Sequence, residues 1–391
     1  MLKRSFLLSL LLCLSLTQTT PYTPPLFKAY PDLKDSLPYI NLGTFPTPIN
    51  HLKALGSKVN HPQLYAKMDS ISGVPFGGNK VRKLEFILGE AAKAKVAAVI
   101  TQGYAGSNST CAAAIYAKQL GLPCTIMHVG QIPTRYAQRN LLLSLKNGAD
   151  LHLFRAESER DKHIYAMGRK FAIEKKGPLY FIPSGCSNGV GAIGFVNAAF
   201  ELKEQIAQGL MPEPDLLYVT ISSCGMASGL MMGIKAAGLK TKVVPVCIEG
   251  DDYENEHEKL SMRLIKDATY ILRKHDPTFP QLDIKEEDLG IRYEFIGKGY
   301  ASITDAGAEG IKLLKSTEDI KLDGTYASKT FAALLHDLNA GKLKDKVVLF
   351  WNSFCSGTFE DQIKDVDYKQ LPKEYHYYFQ DNLLQKNDQG V

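Results

Sequence analysis

The fifteen-residue stretch from Ser72 to Phe86, SGVPFGGNKVRKLEF, decides how this chain is interpreted. Its two adjacent glycines let the backbone pass close to a bulky group, and Lys80 follows them at the start of a segment with helical spacing. Because the positive charges of Arg82 and Lys83 lie nearby, we expect the pKa of Lys80 to be lowered and its free amine to be available. Lys83, one helical turn further on, is expected to face solvent. The alternative is that Lys80 is an exposed lysine without a chemical role.

Composition places the chain among ordinary globular proteins. Its 391 residues are 45% hydrophobic and 22% charged, which allows two domains or one large domain. The net charge of +5 is small, and no basic run accompanies it, which argues against nucleic-acid binding. The seven cysteines are scattered without a C-x-x-C pair, and the nine histidines show no ligand spacing. The sequence therefore predicts no metal site and no disulfide framework.

The first residues, MLKRSFLLSLLLCLSLTQTT, are typical of a secretory leader. A cationic start precedes an apolar run that is too short to span a bilayer, but no clear cleavage site follows. Residues 1–21 are therefore set apart as a leader-like segment, and the location of the protein stays open between export and the cytoplasm. No later stretch reads as a membrane helix. The adjoining proline-rich segment, PYTPPLF, is expected to lie extended over the surface.

After that segment, short apolar runs alternate with longer segments of helical spacing. Strands are predicted at Val96–Thr101, Cys124–Val129, Leu151–Phe154, Leu216–Ile221, Lys242–Ile248 and Lys346–Trp351. Helices are predicted at Lys80–Lys93, Ser107–Leu120, Arg135–Lys146, Ser158–Lys175, Ala192–Gln208 and Ala306–Lys315. Strand followed by helix, repeated, predicts an α/β fold whose mostly parallel sheets are covered by helices.

Three loops rich in glycine and serine follow predicted strands: TQGYAGSNST, SSCGMASG and NSFCSG. Ligands in α/β proteins bind beyond the carboxyl ends of the strands, and a helix N-terminus offers unpaired N–H donors to an anion. These loops could hold a phosphate or a carboxylate, or they could only cap helices. Neither a P-loop nor a G-x-G-x-x-G motif is present, which argues against nucleoside triphosphates and NAD.

Several blocks of the sequence, in order, resemble one family. They are LGTFPTPI, KMDSISGVPFGGNKVRKLEFILGEA, GYAGSNST, IPSGCSNGVGAIGF, LDGTYASK and VLFWNS, spread from about Pro25 to Ser356. They closely resemble the pyridoxal-phosphate enzymes of the D-cysteine desulfhydrase and 1-aminocyclopropane-1-carboxylate deaminase family. The resemblance implies the two-domain fold of tryptophan synthase β and its relatives (fold type II). It also implies a pyridoxal 5′-phosphate cofactor and a small amino acid as substrate.

The resemblance also assigns roles to residues. Lys80 corresponds to the lysine that forms a Schiff base with the cofactor. The other implied roles are Asn79 orienting the cofactor, Ser107 contacting the substrate carboxylate, Asn108 bonding the ring hydroxyl, Tyr326 as the active-site tyrosine and Ser353 facing the ring nitrogen. The loop Ser223–Gly229 corresponds to the phosphate cup, so Cys224, Gly225, Met226, Ala227, Ser228 and Gly229 are expected to bind the cofactor.

The same resemblance predicts the domain organisation and the reaction. A large cofactor-binding domain is expected over residues 22–80 and 190–391, with a small domain over residues 81–189. The favoured reaction is β-elimination from D-cysteine or a similar D-amino acid, giving a keto acid, ammonia and sulfide. Family habit suggests a homodimer and a cytoplasmic location.

Some positions depart from the family pattern. Ala327 stands where ring-opening deaminases carry glutamate, Met226 replaces a threonine donor in the phosphate cup, and Phe354 stands where a glycine is usual. These departures leave the substrate open. The alternatives are deamination of 1-aminocyclopropane-1-carboxylate, racemisation or elimination on serine-like substrates, and a degenerate protein that binds pyridoxal phosphate or an amino acid without turnover.

Overall fold

A computed structural model of the protein describes residues 22–174, 177–250, 256–385 and 388. The leader-like segment, residues 1–21, lies outside the described residues. Within these ranges, no helix combines the length and the apolar character needed to cross a membrane.

Strands and helices alternate along most of the described chain. The strands are β1 (Ile49–His51), β2 (Leu64–Lys67), β3 (Ala98–Tyr104), β4 (Cys124–Val129), β5 (Asp150–Phe154), β6 (Leu179–Ile182), β7 (Leu216–Ile221), β8 (Lys242–Cys247) and β9 (Val348–Trp351). The helices are α1 (Pro25–Ala29), α2 (Asp32–Ser36), α3 (Lys53–Lys58), α4 (Lys80–Lys93), α5 (Asn108–Gln119), α6 (Arg135–Lys146), α7 (Glu157–Ile173), α8 (Gly189–Ala207), α9 (Gly225–Ala237), α10 (Glu256–His275), α11 (Asp305–Glu318), α12 (Ala327–Asn339) and α13 (Glu360–Ile363).

Two sheets organise the described residues. One has the strand order β1-β2-β9-β7-β8 and the other has the order β5-β4-β3-β6. Every neighbouring pair is parallel except β1 with β2, as expected for strands joined by crossover helices. Continuous burial of β9 and most of β7 shows that the first sheet is covered on both faces. The predicted α/β class with mostly parallel sheets is confirmed, whereas the proposed domain limits at residues 80 and 190 stay a prediction.

The carboxyl ends of β3, β7 and β9 carry the three loops rich in glycine and serine that the sequence singled out. Ser107 caps the N-terminus of α5, because its Oγ accepts a hydrogen bond from the Ser109 N–H at 3.2 Å. Cys224 precedes α9 in a left-handed conformation, with φ of 63°. Ser353 follows β9, and its carbonyl accepts from the Asn79 N–H at 3.0 Å. The end of β9 is thereby joined to the start of α4.

Helix α4 is anchored from behind by a buried network of charged side chains. Arg82 donates to Asp69 at 2.8 Å and to Glu201 at 2.9 Å, and Lys67 also donates to Glu201 at 2.5 Å. All four side chains are almost completely buried. Burial alone would raise the pKa of Glu201, but Arg82 and Lys67 outweigh it and hold that pKa at about 2. Breaking such a pair leaves an uncompensated buried charge, so this network fixes where α4 lies.

The proline-rich segment differs from its prediction. Pro25–Ala29 forms helix α1, in which Leu26 and Phe27 are buried rather than exposed. Proline is favourable in the first turn of a helix, where its missing N–H is not needed. The Leu26 N–H donates to the side chain of Asn197 on α8 at 3.0 Å, so tertiary packing decides the conformation of this segment.

Candidate active site

A cavity of about 660 Å³ opens at the carboxyl ends of β3, β7 and β9. Most of the predicted site residues line it, although they are far apart in the sequence. Those that line the cavity are Asn79, Lys80, Ser107, Asn108, Cys224, Met226, Tyr326 and Ser353. The structure therefore brings together residues from each of the three predicted loops.

Lys80 begins α4 with its side chain in the cavity. Its Nζ donates to Asn79 Oδ1 at 2.9 Å, while the Asn79 amide contacts the sulfur of Met226 at 3.6 Å. Burial lowers the pKa of Lys80, as the sequence predicted in direction. The expected cause was wrong, because Arg82 is fully engaged with Asp69 and Glu201 and it is desolvation that acts on Lys80.

Lys83 is a correction to the sequence analysis. It does not face solvent: its side chain is 1% exposed and lines the same cavity. Its Nζ donates to Ser187 Oγ at 2.8 Å and to the Gly185 carbonyl at 3.0 Å. Residues three apart share a helix face, so Lys83 lies on the same side of α4 as Lys80 and lines the same cavity. Burial, with a contribution from the charge of Lys80, lowers the pKa of Lys83 to about 7.

The start of α9 forms a cradle beside Lys83. A Cβ atom added to Gly225 would lie 2.6 Å from Ser187 Oγ and 3.1 Å from Lys83 Nζ, so only glycine leaves this space open. Ser187 Oγ is also 2.8 Å from Ser223 Oγ. The first-turn N–H groups of a helix have no carbonyl partners within it, and those of Met226 and Ala227 lie at this end. The cradle therefore combines one ammonium group, two hydroxyls and backbone donors.

Not every residue predicted in the phosphate cup lines the cavity. Gly225, Ala227, Ser228 and Gly229 are buried within α9 instead. Gly229 has a packing reason, since an added Cβ would lie 2.3 Å from the carbonyl oxygen of Ala192 on α8. Ser228 Oγ is buried without a hydrogen-bond partner and does not reach the cavity. The side chains of Ala227 and Ser228 therefore do not reach a ligand in the cavity. Gly225, at the start of α9, borders the cradle through its backbone.

The Gly106–Asn108 turn is held rigidly on the opposite wall. Gly106 N–H donates to Gln131 Oε1 at 2.7 Å, and its carbonyl accepts from Asn140 Nδ2 at 2.9 Å. Asn140 Nδ2 also donates to Asn108 Oδ1 at 3.2 Å. Because the Asn108 carbonyl is already an acceptor, its NH₂ group is left to donate into the cavity. Sequence reasoning missed Gln131, which lies in the loop after β4, and Asn140, which lies on α6, because neither is close in sequence to the turn that it orients.

A pair of tyrosines lies at a third side of the cavity. The hydroxyls of Tyr300 and Tyr326 are hydrogen-bonded to each other, and Tyr104 stacks on Tyr300 with ring centroids 4.0 Å apart. Burial raises the pKa of both Tyr300 and Tyr326, so both stay protonated at neutral pH. Lys329 supports the loop before Tyr300 by donating to the carbonyls of Ile296, at 2.7 Å, and of Ile248 and Gly299. Neither Tyr300 nor Lys329 was singled out from the sequence.

Asp323 also lines the cavity, but its oxygens are occupied. Oδ2 accepts from the N–H groups of Thr325 and Tyr326, and Oδ1 accepts from that of Ala327 at 3.0 Å. Burial raises the pKa of Asp323 even though these backbone donors oppose the shift. The carboxylate therefore serves to begin α12 and to orient Tyr326.

The profile of the family described as "Pyridoxal-phosphate dependent enzyme" matches residues 40–353, which is most of the chain. The chain belongs to this family. It is a pyridoxal-phosphate dependent enzyme, and the fold and cofactor implied by the resemblance are confirmed.

Individual relatives agree with this assignment. A Thermotoga maritima protein named "Putative 1-aminocyclopropane-1-carboxylate deaminase" is 30% identical over 76% of this chain and 90% of its own length. A Salmonella choleraesuis D-cysteine desulfhydrase is 27% identical over 79% of this chain and 90% of its own. A solved structure described as an ACC deaminase homologue superposes with a TM-score of 0.73 and 25% identity, over 88% of this chain and 100% of that one.

The residues present fit pyridoxal phosphate. The Gly225 cradle, with Lys83, Ser187 and Ser223, offers the charge and the donors that a phosphate dianion requires. The Asn108 NH₂ group is held ready to donate to a ring oxygen. Lys80 supplies a buried amine whose lowered pKa favours the neutral form that can bond to an aldehyde. Within the described residues, no cluster of metal-ligating side chains accompanies this set.

Proposed function

We propose that the enzyme binds pyridoxal phosphate on Lys80 and removes a β-substituent from a small amino acid, with D-cysteine as the favoured substrate. The observation that carries the proposal is the position of Lys80, a buried amine in a cavity with an anion cradle on one side and a tyrosine pair on the other. Relatives named D-cysteine desulfhydrase support the substrate. The products would be a keto acid, ammonia and sulfide.

Each wall of the cavity has a task in this proposal. Bound pyridoxal phosphate withdraws electrons from the Cα of the attached amino acid and so makes its proton acidic. Lys80, whose pKa desolvation lowers, accepts that proton at Nζ. Ser107, at the N-terminus of α5, binds the substrate carboxylate through its hydroxyl and the adjoining first-turn N–H groups. Both groups lie within one cavity, so the substrate bridges the two walls.

Tyr326 is proposed as the acid that protonates the departing sulfur. Its raised pKa keeps the hydroxyl protonated at neutral pH, so it carries a proton to give, and the hydrogen bond with Tyr300 orients that hydroxyl. For D-cysteine with its thiol protonated, the Cβ–S bond would break, its electron pair would leave with sulfur as hydrosulfide, and one proton from Tyr326 would convert the hydrosulfide to hydrogen sulfide. Water then converts the remaining three-carbon unit to pyruvate and ammonia.

Ring opening of 1-aminocyclopropane-1-carboxylate is the second candidate, because relatives carry that name. Ala327 disfavours it, since this fully buried methyl group stands where ring-opening deaminases carry glutamate and leaves no carboxylate there. Assembly as a homodimer is likewise a proposal, which light scattering of the purified protein would check.

The first test asks which lysine bonds to the cofactor. Protein loaded with pyridoxal phosphate is reduced with borohydride, digested and mapped. The tag is expected on Lys80, and Lys80→Ala is expected to lose the visible absorption band. Lys83→Ala serves as the matched control, because it removes the other buried amine of the same helix face. A tag on Lys83, or no tag, would overturn the assignment.

The second test identifies the reaction. The loaded enzyme is incubated with D- and L-cysteine, D- and L-serine and 1-aminocyclopropane-1-carboxylate, and keto acid, ammonia and sulfide are measured. Keto acid with equal sulfide from D-cysteine is the expected result. Keto acid from the cyclopropane substrate alone would favour the second candidate. A coloured protein that converts none of them would favour binding without turnover.

A further inference from the structure

The C-terminal strap, residues 368–385, lies beyond the family match, which ends at residue 353. It comprises short 3₁₀ helices at Tyr368–Gln370, Lys373–Phe379 and Asp381–Leu383. Tyr375 and Tyr378 are 0% exposed and belong to the same hydrophobic cluster as residues of α4 and α5. The strap is therefore part of the core and not a loose tail.

One end of the strap is joined to the Gly106–Asn108 turn. The hydroxyl of Tyr378 accepts from the Gln131 N–H at 2.9 Å, and Gln131 Oε1 accepts from the Gly106 N–H at 2.7 Å. The Tyr378 carbonyl accepts from Gln138 Nε2 at 2.9 Å, which fixes the strap to α6 as well. Two hydrogen bonds thus separate the strap from the turn that carries Ser107.

A second path reaches Ser107 through buried side chains. Thr110 donates its only hydroxyl proton to the Ser107 carbonyl at 3.0 Å, so at Oγ1 it accepts from His128 Nε2–H, also at 3.0 Å. His128 Nδ1 is then the acceptor for the Tyr375 hydroxyl at 3.0 Å. Burial lowers the pKa of His128 to about 3, which keeps the ring neutral and this direction of donation fixed. The Tyr375 hydroxyl is therefore connected to the Ser107 carbonyl through His128 and Thr110.

The other end of the strap is joined to the side of the cavity that carries Tyr300. Gln385 Oε1 accepts from the Ile303 N–H at 3.1 Å, and its Nε2 donates to the Ala301 carbonyl at 2.8 Å. Ala301 adopts a left-handed conformation, with φ of 60°, directly after Tyr300. A non-glycine residue rarely holds this conformation without support, so the bond from Gln385 helps to set where Tyr300 lies.

We infer that the C-terminal strap is a positioning element that ties the Ser107 wall to the Tyr300 wall of the active site. Tyr375, Tyr378 and Gln385 act through Gln131, His128 and the Ala301 loop, and none of them touches the substrate. The inference rests on the proposed function only where it concerns turnover. The structural part of the inference is that each end of the strap restrains one wall of the cavity. That part does not depend on which amino acid the enzyme converts.

The experiment uses full-length, cofactor-loaded protein and three variants. Tyr378→Phe keeps the buried ring and removes the hydroxyl acceptor, and Gln385→Ala removes both bonds to the 301–303 loop. Tyr368→Phe is the matched control, because it removes a hydroxyl from the same strap at a ring that packs on Phe379 and His376, both within the strap. Hydrogen exchange by mass spectrometry is measured on peptides that cover each wall, beside the free energy of unfolding.

Faster exchange is expected at residues 104–108 in Tyr378→Phe and at residues 300–304 in Gln385→Ala, with the control unchanged. Loss of one neutral hydrogen bond, as in Tyr378→Phe, corresponds to a roughly 2- to 12-fold faster exchange, and the two bonds lost in Gln385→Ala correspond to at least that much. A fall of that size is expected in kcat on the accepted substrate, with cofactor affinity retained. Exchange that rises equally along the whole chain, or not at all, would overturn the strap as a positioning element. If no amino acid is converted, the exchange result still decides this inference.

Discussion

Replacing Lys83 with methionine tests the cradle at the start of α9. Methionine keeps an unbranched, flexible side chain in the buried space but removes the ammonium group that lies beside Gly225 and Ser187. A hydrogen bond to a charged group contributes about 1.5–3 kcal/mol. We therefore expect Lys83→Met to weaken pyridoxal phosphate binding by roughly 10- to 150-fold.

The assay compares two ligands in the same protein. Pyridoxal phosphate and pyridoxal, which lacks the phosphate, are each titrated while the visible absorption band is followed. In the wild type the phosphate should give a large gain in affinity, and Lys83→Met should reduce that gain while leaving pyridoxal almost unaffected. Lys93→Met, at the exposed end of the same helix, is the control.

The affinity that the phosphate adds should change with pH in a definite direction. The pKa of Lys83 is about 7 without cofactor, and a phosphate dianion beside it raises that pKa, so binding takes up a proton. Below the pKa of Lys83 in the free protein, its contribution to cofactor affinity is fully present. That contribution is lost as the pH rises above this pKa. The phosphate-dependent gain should thus fall above pH 7, by up to about tenfold per pH unit, and Lys83→Met should be flat. Equal losses for both ligands would refute a phosphate role for Lys83.

Three further changes probe other parts of the structure. Asn140→Ala removes the donor to Asn108 Oδ1, so we expect a shift in the cofactor absorption maximum. Cofactor affinity should fall 2- to 12-fold, which corresponds to about one neutral hydrogen bond and can be measured by spectroscopic titration. Glu201→Gln breaks the buried pair with Arg82 and should cost about 3–5 kcal/mol of unfolding free energy in urea. Because the folded pKa of Glu201 is about 2, against 4.5 as its usual value, its stabilisation in the wild type is complete above pH 4.5 and is lost as the pH falls toward 2. Tyr326→Phe removes the proposed acid and should lower kcat by about 10²-fold or more without loss of colour, as steady-state assays and spectra of the loaded variant would show.

Local sequence pattern was sufficient for the elements that carry their own signals. Buried strands such as Leu216–Ile221 are short apolar runs, and helix α5 begins at a serine whose hydroxyl caps it. The loops that follow these strands could be recognised as site candidates because parallel strands place their carboxyl ends at one edge. Periodicity and capping therefore led from sequence to both the fold class and the neighbourhood of the cavity.

Residues that act through distant partners escaped sequence analysis for a physical reason. Asn140 meets Asn108 from 32 positions away, and Tyr375 meets His128 from 247 positions away. Neither contact leaves a periodic or spacing signal, since it depends on how α6 and the strap fold back onto the turn. Lys83 is a different error: the sequence analysis placed it toward solvent, whereas packing of α4 against α8 buries its side chain on the same side of the helix as Lys80.

Lys80 and Lys83 share one cavity, and the geometry indicates which of the two amines carries the proton. Desolvation lowers the pKa of both Lys80 and Lys83, and the charge of Lys80 lowers that of Lys83 further, so the cavity disfavours two ammonium groups at once. A phosphate bound in the cradle, as proposed, would lie beside Lys83 and would draw the remaining proton there. Lys80, whose neighbour at 2.9 Å is the neutral Asn79 amide, would then be left as the free amine. Binding of the cofactor would in this way both charge the lysine that holds it and keep neutral the lysine that bonds to it.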